Sequence, residues 1–337
     1  MKKFRVLAVV GTRPQLLKVS RVWADVIVNT GQHYDRNMND VHSPNVEYNL
    51  HLTELGETIT KLIEVMEKEK PLYVVVIGDT RSTLAGAVAA AYCGINICHL
   101  EAGMRSYEKN SIEERIRVTV DRMSDLWLCA NEDCRENLKV EGFYDNVINV
   151  GDPEFDKLFE YMPTTKPMWK KHTEEPFNLL TLHRAELVDN KKKLQTVLEA
   201  IGSIGQKFIF PIHPRTKDRI EKFGLDIPEN IGLIDPVDHK TMANYILNAN
   251  KVVTDSGGVQ REAYWLLKDL IIVRDVTEHV GILRNKCGIL TGYDKDKIID
   301  AILNFKRTGV PEIPDGYTHE RVKSIFEEIE RLPNACK

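Results

Sequence analysis

The chain has 337 residues, of which 42% are apolar and 28% are charged, and its formal net charge is -4 at pH 7. This length suits two domains of ordinary size, and this composition is that of a globular protein and not of a disordered one. A slightly acidic chain has no basic field that would attract nucleic acid or a membrane surface, so an anionic ligand must be held by local donors. We therefore expect a small-molecule partner.

The N-terminal apolar run leads directly into the sequence GTRP and is too short for the hydrophobic region of a signal peptide. No segment approaches the length of a membrane span. The six cysteines are scattered without the spacing of a metal site, and we expect them to be reduced and mostly buried. The sequence therefore predicts a cytoplasmic protein without a structural metal.

Short apolar runs rich in β-branched residues alternate with segments of helical periodicity along most of the chain. The first series of predicted strands covers residues 4–10, 25–29, 73–78, 96–100 and 126–130. The second series covers residues 177–182, 207–212, 231–234, 251–254 and 269–273. A stretch rich in proline and charge, residues 161–176, separates the two series. This pattern predicts an α/β fold with two doubly wound domains joined near that stretch.

Two helices are predicted with defined ends in the first half of the chain. The first covers residues 53–70, starts with a sequence like a capping box at Thr53 and ends before Pro71. The second covers residues 82–94. In open α/β sheets ligands lie at the carboxyl ends of the strands, so we expect the active site in a cleft between the two sheets.

Six polar clusters follow directly after predicted strands, and they read GTRPQLLK, GDTRSTLAG, HLEAGMRS, LHRAE, PIHPRT and DSGGVQREA. Each cluster has a structural alternative to a functional role. The alternatives are a helix cap for Asp79, a surface charge for Arg13, buried hydrogen-bonded rings for His183 and His213, and solvated helix charges for Glu113 and Glu114 paired with Arg117. Their recurrence at strand ends favours a common ligand site.

The last cluster, residues 255–263, contains an acid, a hydroxyl and two adjacent glycines before a predicted helix. One interpretation is a turn in which Asp255 or Ser256 caps the helix and Gly257-Gly258 provides the bend. The other is a phosphate site at the helix N-terminus, although the full GxGxxG pattern is absent. This stretch alone leaves both interpretations open.

Taken in order, the motifs resemble those of the non-hydrolysing UDP-N-acetylglucosamine 2-epimerases, especially the archaeal members, from about residue 4 to residue 325. The combination of HLEAG, HRAE and DSGG is specific. The resemblance implies two Rossmann-like domains of the glycosyltransferase-B type with a UDP-sugar in the cleft between them. It divides the chain into an N-terminal domain of residues 1–160, a UDP-binding domain of residues 161–317 and a helix of residues 318–337 that packs back on the first domain. It also implies a homodimer.

The resemblance implies a reaction that interconverts UDP-GlcNAc and UDP-ManNAc. UDP is eliminated across carbons 1 and 2 to give a glycal, and it is then added back while a proton reaches the opposite face of carbon 2. This reaction needs carboxylates for proton transfer and a cationic cradle for the departing diphosphate, and it needs no redox cofactor and no metal.

The resemblance also assigns residues to roles. Asp79, Glu101 and Glu113 match the acid and base carboxylates, and the implied catalytic set further includes Lys18, Arg117 and His183. The implied substrate contacts are Arg13, His213, the diphosphate-binding Ser256, Gly257 and Gly258, and Glu262 for the ribose hydroxyls.

Several positions depart from the family pattern. Gln15 stands where a glutamate is usual, Ile112 replaces the proline before Glu113, and Arg261 stands where an acid is common. The residues 279–281 read His-Val-Gly instead of Arg-Pro-Glu. The carboxylates are retained, whereas the altered loop leaves the exact sugar open.

Four alternatives to this activity follow. The same chemistry could act on a UDP-2,3-diacetamido-uronic acid, whose extra carboxylate would require another cation near the hexose. A hydrolysing epimerase would release free N-acetylmannosamine. A glycosyltransferase should lack the set of three carboxylates, and a UDP-sugar binding protein would not turn over; retention of Asp79, Glu101 and Glu113 argues against both.

Overall fold

A computed structural model describes residues 5–31, 46–162 and 175–331. By the contacts of its backbone the chain divides into two compact units. The first unit comprises Met1–Phe159 and Pro314–Lys337, and the second comprises Glu160–Ile313. Most of the predicted joint, residues 163–174, lies outside the described residues. The predicted domain boundaries and the predicted cleft remain predictions.

The first unit is built on a seven-stranded sheet in which neighbouring strands are parallel. Its strands are β1 (Val6–Val10), β2 (Val26–Asn29), β3 (Tyr48–Asn49), β4 (Tyr73–Ile77), β5 (Asn96–Leu100), β6 (Leu126–Cys129) and β7 (Val147–Asn149). The order across the sheet is β3-β2-β1-β4-β5-β6-β7, so the direction of winding reverses between β1 and β4. Its helices before the second unit are α1 (Arg13–Lys18), α2 (Leu55–Glu69), α3 (Arg81–Tyr92), α4 (Ile112–Met123), α5 (Glu132–Val140) and α6 (Pro153–Tyr161), which runs two residues past Phe159.

The second unit is built on a six-stranded parallel sheet. Its strands are β8 (Asn178–Thr181), β9 (Phe208–Pro211), β10 (Ile231–Ile234), β11 (Lys251–Thr254), β12 (Asp269–Ile272) and β13 (Gly288–Leu290), in the order β10-β9-β8-β11-β12-β13. Its helices are α7 (Ala185–Val188), α8 (Lys191–Gly202), α9 (Pro214–Phe223), α10 (His239–Asn248), α11 (Gly257–Trp265), α12 (Val280–Arg284) and α13 (Lys295–Asn304). The last helix of the chain, α14 (Thr318–Arg331), belongs to the first unit.

Burial on both faces explains why the strands are apolar without alternation. In β1, Val6 and Val10 belong to one hydrophobic cluster, and Leu7 and Val9 belong to the cluster on the other face. Successive side chains of a strand point to opposite faces, so a sheet covered on both sides needs apolar residues at every position.

Helix α14 contributes to the core of the first unit. Val322 and Phe326 pack in the same cluster as Trp23. The Asp156 carboxylate accepts hydrogen bonds from the backbone amides of Thr318 (3.2 Å) and His319 (2.9 Å) at the start of the helix. An acidic side chain at this place satisfies amides that have no partner inside the helix.

These observations confirm the predicted fold class of two Rossmann-like, doubly wound α/β units. The short strands β3, β7 and β13 were not predicted. The predicted helix start at Thr53 is wrong, because α2 begins at Leu55 after Glu54 and no side chain caps it. The five cysteines among the described residues are free thiols. No helix within the described ranges has the length and apolar character needed to cross a membrane.

Candidate active site

Glu101 follows the last residue of β5 and forms an ion pair with Lys18 at the end of α1. The Lys18 ammonium nitrogen lies 3.0 Å from each carboxylate oxygen, and both side chains are almost fully buried. Glu101 has a left-handed backbone conformation with φ of 70°. Gly78 is also left-handed, and a Cβ added there would lie 3.2 Å from Glu101 Oε2. A glycine at this position therefore leaves room for the carboxylate.

Lys18 also lies 3.5 Å from Glu154 Oε2, and the Glu154 side chain is 9% exposed. Oxygens of Glu101, Glu154 and Asp152 lie within 4.8 Å of one another. Carboxylate oxygens of this kind can ligate a hard metal ion, but here the Lys18 ammonium group contacts two of them. One lysine therefore pairs with Glu101 and Glu154, and the third buried carboxylate, Asp152, lies close to both acids.

Asp79 lies in the turn after β4 and accepts a hydrogen bond from Arg117 Nη2 of α4. The other terminal nitrogen of Arg117 donates to Glu114 Oε2 at 2.8 Å. The cap of α3 is Thr80, whose hydroxyl accepts the Thr83 amide at 3.3 Å. The helix-cap alternative for Asp79 is thus not what the structure shows.

Glu113 and Glu114 have different environments although they are adjacent. Glu113 is exposed and accepts a hydrogen bond from the Ser111 hydroxyl at 2.9 Å. Glu114 is buried and accepts the amides of Ser106 (2.9 Å) and Tyr107 (2.8 Å). Burial alone would raise the pKa of Glu114, but these hydrogen bonds and the Arg117 charge lower it overall. Glu114 therefore anchors the loop after β5, and Glu113 belongs to neither of the two ion pairs described above.

A buried network that the sequence did not reveal supports the same loop. His99 Nδ1 lies 2.7 Å from Asp121 Oδ1, and His99 Nε2 lies 2.7 Å from the carbonyl oxygen of Gly78. Arg105 contacts the other Asp121 oxygen at 2.7 Å. Burial would raise the pKa of Asp121, but His99 and Arg105 lower it. A backbone carbonyl oxygen only accepts, so His99 donates from Nε2 to Gly78. The only sequence signal is a histidine inside an apolar strand.

Gln15, which departs from the family pattern, links the loop after β1 to the loop after β4. Its side-chain oxygen accepts the amides of Gly11 (2.9 Å) and Thr12 (3.2 Å). Its side-chain nitrogen donates to the carbonyl of Ile77 at 2.7 Å and to the hydroxyls of Thr80 and Thr83. The amide supplies a donor that an ionised glutamate lacks. Arg13 is the first residue of α1 and is partly exposed.

In the second unit, Asp255 joins the ends of the neighbouring strands β8 and β11. Its carboxylate accepts the amides of His183 (2.9 and 3.0 Å) and Arg184 (2.8 Å). Ser256 is the residue that caps α11, where its hydroxyl accepts the Val259 amide at 3.4 Å. Burial lowers the pKa of His183; Asp255 acts in the opposite direction, and neighbouring arginines lower the pKa further.

His213 caps α9, and its Nδ1 accepts the Arg215 amide at 3.2 Å. The other ring nitrogen of a neutral His213 therefore carries the proton and can donate to a ligand. The rings of His183 and His213 lie 5.7 Å apart between centroids. The two histidines thus lie together near the carboxyl ends of β8 and β9.

Gly257 and Gly258 are the first two residues of α11. A Cβ added at Gly257 would lie 2.6 Å from Glu278 Oε1, so a larger residue at this position would displace the Glu278 carboxylate. Glu278 is surrounded by Arg274 (2.7 Å), Arg184 (3.4 Å) and His279 (3.8 Å). Burial would raise the pKa of Glu278, but these three groups, His279 foremost, hold it well below its usual range. The altered loop thus contributes His279 to a largely cationic cluster beside the N-terminus of α11.

Glu262 lies further along α11, and its Oε1 forms a hydrogen bond with His239 Nε2 at the start of α10. Both side chains are buried, with 3% and 9% of their surface exposed. His239 was not among the predicted site residues. Arg261, the other departure in this helix, places its guanidinium group 5.9 Å from the centre of the Trp265 ring.

The family model described as UDP-N-acetylglucosamine 2-epimerase matches residues 17–326. A UDP-N-acetylglucosamine 2-epimerase homolog of Methanococcus maripaludis is 36% identical, and the match covers 89% of this chain and 92% of the relative. The UDP-2,3-diacetamido-2,3-dideoxy-D-glucuronate 2-epimerase of Pseudomonas aeruginosa is also 36% identical, over 88% of this chain and 91% of its own.

Among solved structures, the UDP-GlcNAc 2-epimerase of Methanocaldococcus jannaschii in complex with UDP-GlcNAc and UDP superposes with a TM-score of 0.90. It is 34% identical, and the match covers 96% of this chain and 100% of that one. A family model that matches nearly the whole chain, together with archaeal relatives of this similarity, confirms the resemblance. The chain belongs to the UDP-N-acetylglucosamine 2-epimerase family.

Proposed function

We propose that this protein interconverts UDP-GlcNAc and UDP-ManNAc by eliminating UDP to a glycal and adding it back with reprotonation at carbon 2. The observation that carries the proposal is the pair of acid and cation contacts at neighbouring strand ends, Glu101 with Lys18 and Asp79 with Arg117. Family membership supports the same activity.

Carbon 2 of an N-acetylhexosamine is not next to a carbonyl group, so its deprotonation alone gives no stabilised anion. Elimination avoids this difficulty, since the electrons of the carbon–hydrogen bond form a double bond to carbon 1 as UDP leaves. Proton removal and return at opposite faces require more than one positioned carboxylate. Asp79, Glu101 and Glu113 take these roles in the proposal, and Lys18 and Arg117 orient two of them.

The residues proposed to hold UDP lie mainly in the second unit. The amides of Gly257 and Gly258 at the N-terminus of α11, capped by Ser256, suit a phosphate group because helix N-termini attract anions. His183, His213 and Arg13 are proposed to contact the departing diphosphate. Glu262 is proposed to accept the ribose hydroxyls.

A second candidate substrate is a UDP-2,3-diacetamido-uronic acid, which the relative from P. aeruginosa acts on by its name. The additional carboxylate of this sugar would require a cation of its own. Near the carboxyl ends of β4 and β5, Lys18, Arg105 and Arg117 contact carboxylates. Arg81, the exposed first residue of α3, follows β4 directly and is the cation that such a sugar would use, so the activity assay has to separate the two substrates.

Proton NMR of UDP-GlcNAc incubated with the enzyme in deuterated water tests the proposal. We expect the anomeric signal of UDP-ManNAc and deuterium at carbon 2 of both product and recovered substrate. A keto intermediate at carbon 3 would also exchange this hydrogen but would require a nicotinamide cofactor, so the assay is run without one. Epimerisation with no deuterium at carbon 2 would contradict the proton-transfer roles. Release of free N-acetylmannosamine would instead indicate the hydrolysing reaction, and turnover of the uronic acid alone would indicate the second substrate.

We further propose that the protein acts in the cytoplasm as a homodimer, as its resemblance to the family implies. Light scattering coupled to size-exclusion chromatography measures the assembly directly. A mass of one chain at micromolar concentration would contradict the dimer.

A further inference from the structure

Asp79 and Glu101 lie in the loops after the neighbouring strands β4 and β5, and the end of β5 holds the turn that carries Asp79. Gly78, which precedes Asp79, has a left-handed backbone conformation with φ of 67°. Its amide donates to the carbonyl oxygen of Leu100 at 3.0 Å, and its carbonyl oxygen accepts a hydrogen bond from His99 Nε2 at 2.7 Å. Both backbone polar groups of Gly78 are therefore bonded to the strand that continues into Glu101.

The His99 ring is fixed at its second nitrogen as well. Its Nδ1 lies 2.7 Å from Asp121 Oδ1, and neither side chain is exposed. The other Asp121 oxygen accepts the amide of Gly103 at 3.2 Å and contacts Arg105 Nη1 at 2.7 Å. Contacts at both nitrogens hold the buried ring in one orientation, and the position of the carbonyl to which Nε2 donates follows from it.

We infer that His99 is a positioning residue whose hydrogen bond to the Gly78 carbonyl fixes the turn that carries Asp79. The place of Asp79 relative to Glu101 follows from this bond. The inference rests on the proposed proton-transfer roles of the two carboxylates and adds the residue that aligns them. An error of about 1 Å in the position of a reacting group can lower a rate by about 100-fold. Because its side chain is fully buried, His99 acts through the backbone and not on the substrate itself.

Two variants separate the two contacts of this ring. The amide nitrogen of His99→Gln can take the place of Nε2 and donate to Gly78, whereas that of His99→Asn can take the place of Nδ1 and reaches only Asp121. The turnover number for UDP-GlcNAc should fall about 10-fold or more in His99→Asn and stay within about 3-fold of wild type in His99→Gln. Both variants should bind UDP within about 3-fold of wild type, because the residues proposed to hold UDP lie mainly in the second unit.

Leu62→Ala is the control for a loss of stability alone. Leu62 of α2 is fully buried in the hydrophobic cluster on one face of the first sheet, so its truncation leaves a cavity and should lower the melting temperature as the His99 variants do. Its turnover number should stay at the wild-type value. Circular dichroism and thermal melting establish that each variant is folded before the assay.

Amide hydrogen exchange gives a readout that does not depend on the reaction. The Gly78 amide should exchange faster in His99→Asn than in the wild type and in His99→Gln, since one hydrogen bond fewer then holds the turn. Mass spectrometry of peptides that cover Gly78 measures this exchange.

Equal turnover numbers in the two His99 variants would overturn the inference, and so would a UDP affinity that falls by the same factor as the turnover number. An unaltered exchange rate of the Gly78 amide in His99→Asn would also overturn it. A wild-type protein that does not epimerise UDP-GlcNAc would contradict the proposed function instead. The exchange measurement on that protein still decides whether His99 holds the turn.

Discussion

The two sheets have the same strand order but carry different sets of side chains at the carboxyl ends of their strands. If the strands of each unit are numbered along the chain, their order across both sheets is 3-2-1-4-5-6. The first unit has a seventh strand beside the sixth. The loops of the first unit present buried carboxylates, and Lys18 contacts both Glu101 and Glu154. The loops of the second unit present imidazoles, guanidinium groups and helix amides, with Arg184 and Arg274 around Glu278.

This difference shows which level of the structure decides the chemistry. Parallel strand order determines where a ligand can contact the sheet, and it is the same in both units. The residues that follow each strand determine whether that edge transfers protons or binds anions. In the first unit cations serve to position acids, whereas in the second the Asp255 carboxylate serves to position backbone amides.

Removal of Lys18 should have the largest effect on the first unit. Lys18→Met leaves Glu101 and Glu154 buried without that positive charge, and loss of one partner of a buried ion pair costs about 3–5 kcal/mol. Urea denaturation of the ligand-free protein measures the change in the free energy of unfolding.

Two controls sharpen this test. The double variant Lys18→Met, Glu154→Gln also removes one of the two buried negative charges that contacted Lys18, so it should recover part of the lost stability. Lys61→Met breaks an exposed pair with Glu64 and should cost no more than about 1 kcal/mol. An unchanged free energy of unfolding in Lys18→Met would mean that burial of Glu101 and Glu154 does not depend on the positive charge of Lys18.

The amide variants of the three proposed catalytic carboxylates test whether these residues of the first unit transfer protons. Asp79→Asn, Glu101→Gln and Glu113→Gln keep the shape of each side chain and should each lower the rate about 100-fold or more. Their UDP affinity should change much less. Glu136→Gln, on the exposed face of α5, serves as the control and should keep the wild-type rate. Full activity in all three variants would leave these carboxylates with a structural role only.

His213→Ala tests whether the carboxyl end of the second sheet binds the diphosphate. Arg13→Ala tests the basic contact proposed for the first unit. Each variant removes a proposed charge-assisted contact to the diphosphate and should weaken UDP binding by about 1.5–3 kcal/mol. Calorimetric titration with UDP measures the loss. Arg219→Ala changes a residue of α9, the helix that His213 caps; the partners of Arg219 are Asp189 and Asp218, and this variant should bind UDP normally. Unaltered affinity in both test variants would exclude these residues from the site.

The sequence predicted the features that depend on local pattern. Continuous apolar runs located the long strands. The polar clusters placed Asp79 and Glu101 in the loops after strands, and they offered Asp255 or Ser256 as a helix cap, of which the structure has Ser256. The two-residue strand β3 and the three-residue strands β7 and β13 are too short to produce such a pattern.

Side-chain pairs formed by tertiary packing were not predictable. His99 meets Asp121 and His239 meets Glu262 across 22 and 23 residues of chain, and Asp255 reaches the His183 amide across 72. No sequence spacing indicates such contacts. The family resemblance assigned a catalytic role to Glu113. The structure shows in addition that the neighbouring Glu114 is the buried residue of the two.

The smallest expected effect concerns the charge of His183, and it bears on how the second edge attracts an anion. The pKa of His183 is lowered in the folded protein, because burial and the nearby arginines disfavour its charged form more than Asp255 favours it. The unfolded state therefore binds more protons near neutral pH, and the free energy of unfolding increases with pH in this window. The contribution is fully present above the unfolded pKa of about 6.5 and is lost as the pH falls through the lower folded value. We expect the stability of the ligand-free protein to decrease between about pH 7 and about pH 5.5, above the range in which most carboxylates titrate.

His183→Gln should flatten this dependence, whereas His51→Gln, which changes an exposed histidine of the first unit, should leave it unchanged. Urea denaturation at a series of pH values measures the slope. If the free energy of unfolding has the same slope against pH in His183→Gln and in the wild type, His183 is not the titrating group. If the slope is flatter in His183→Gln, the positive charge at the carboxyl end of the second sheet comes from arginines, and His183 acts there as an uncharged donor.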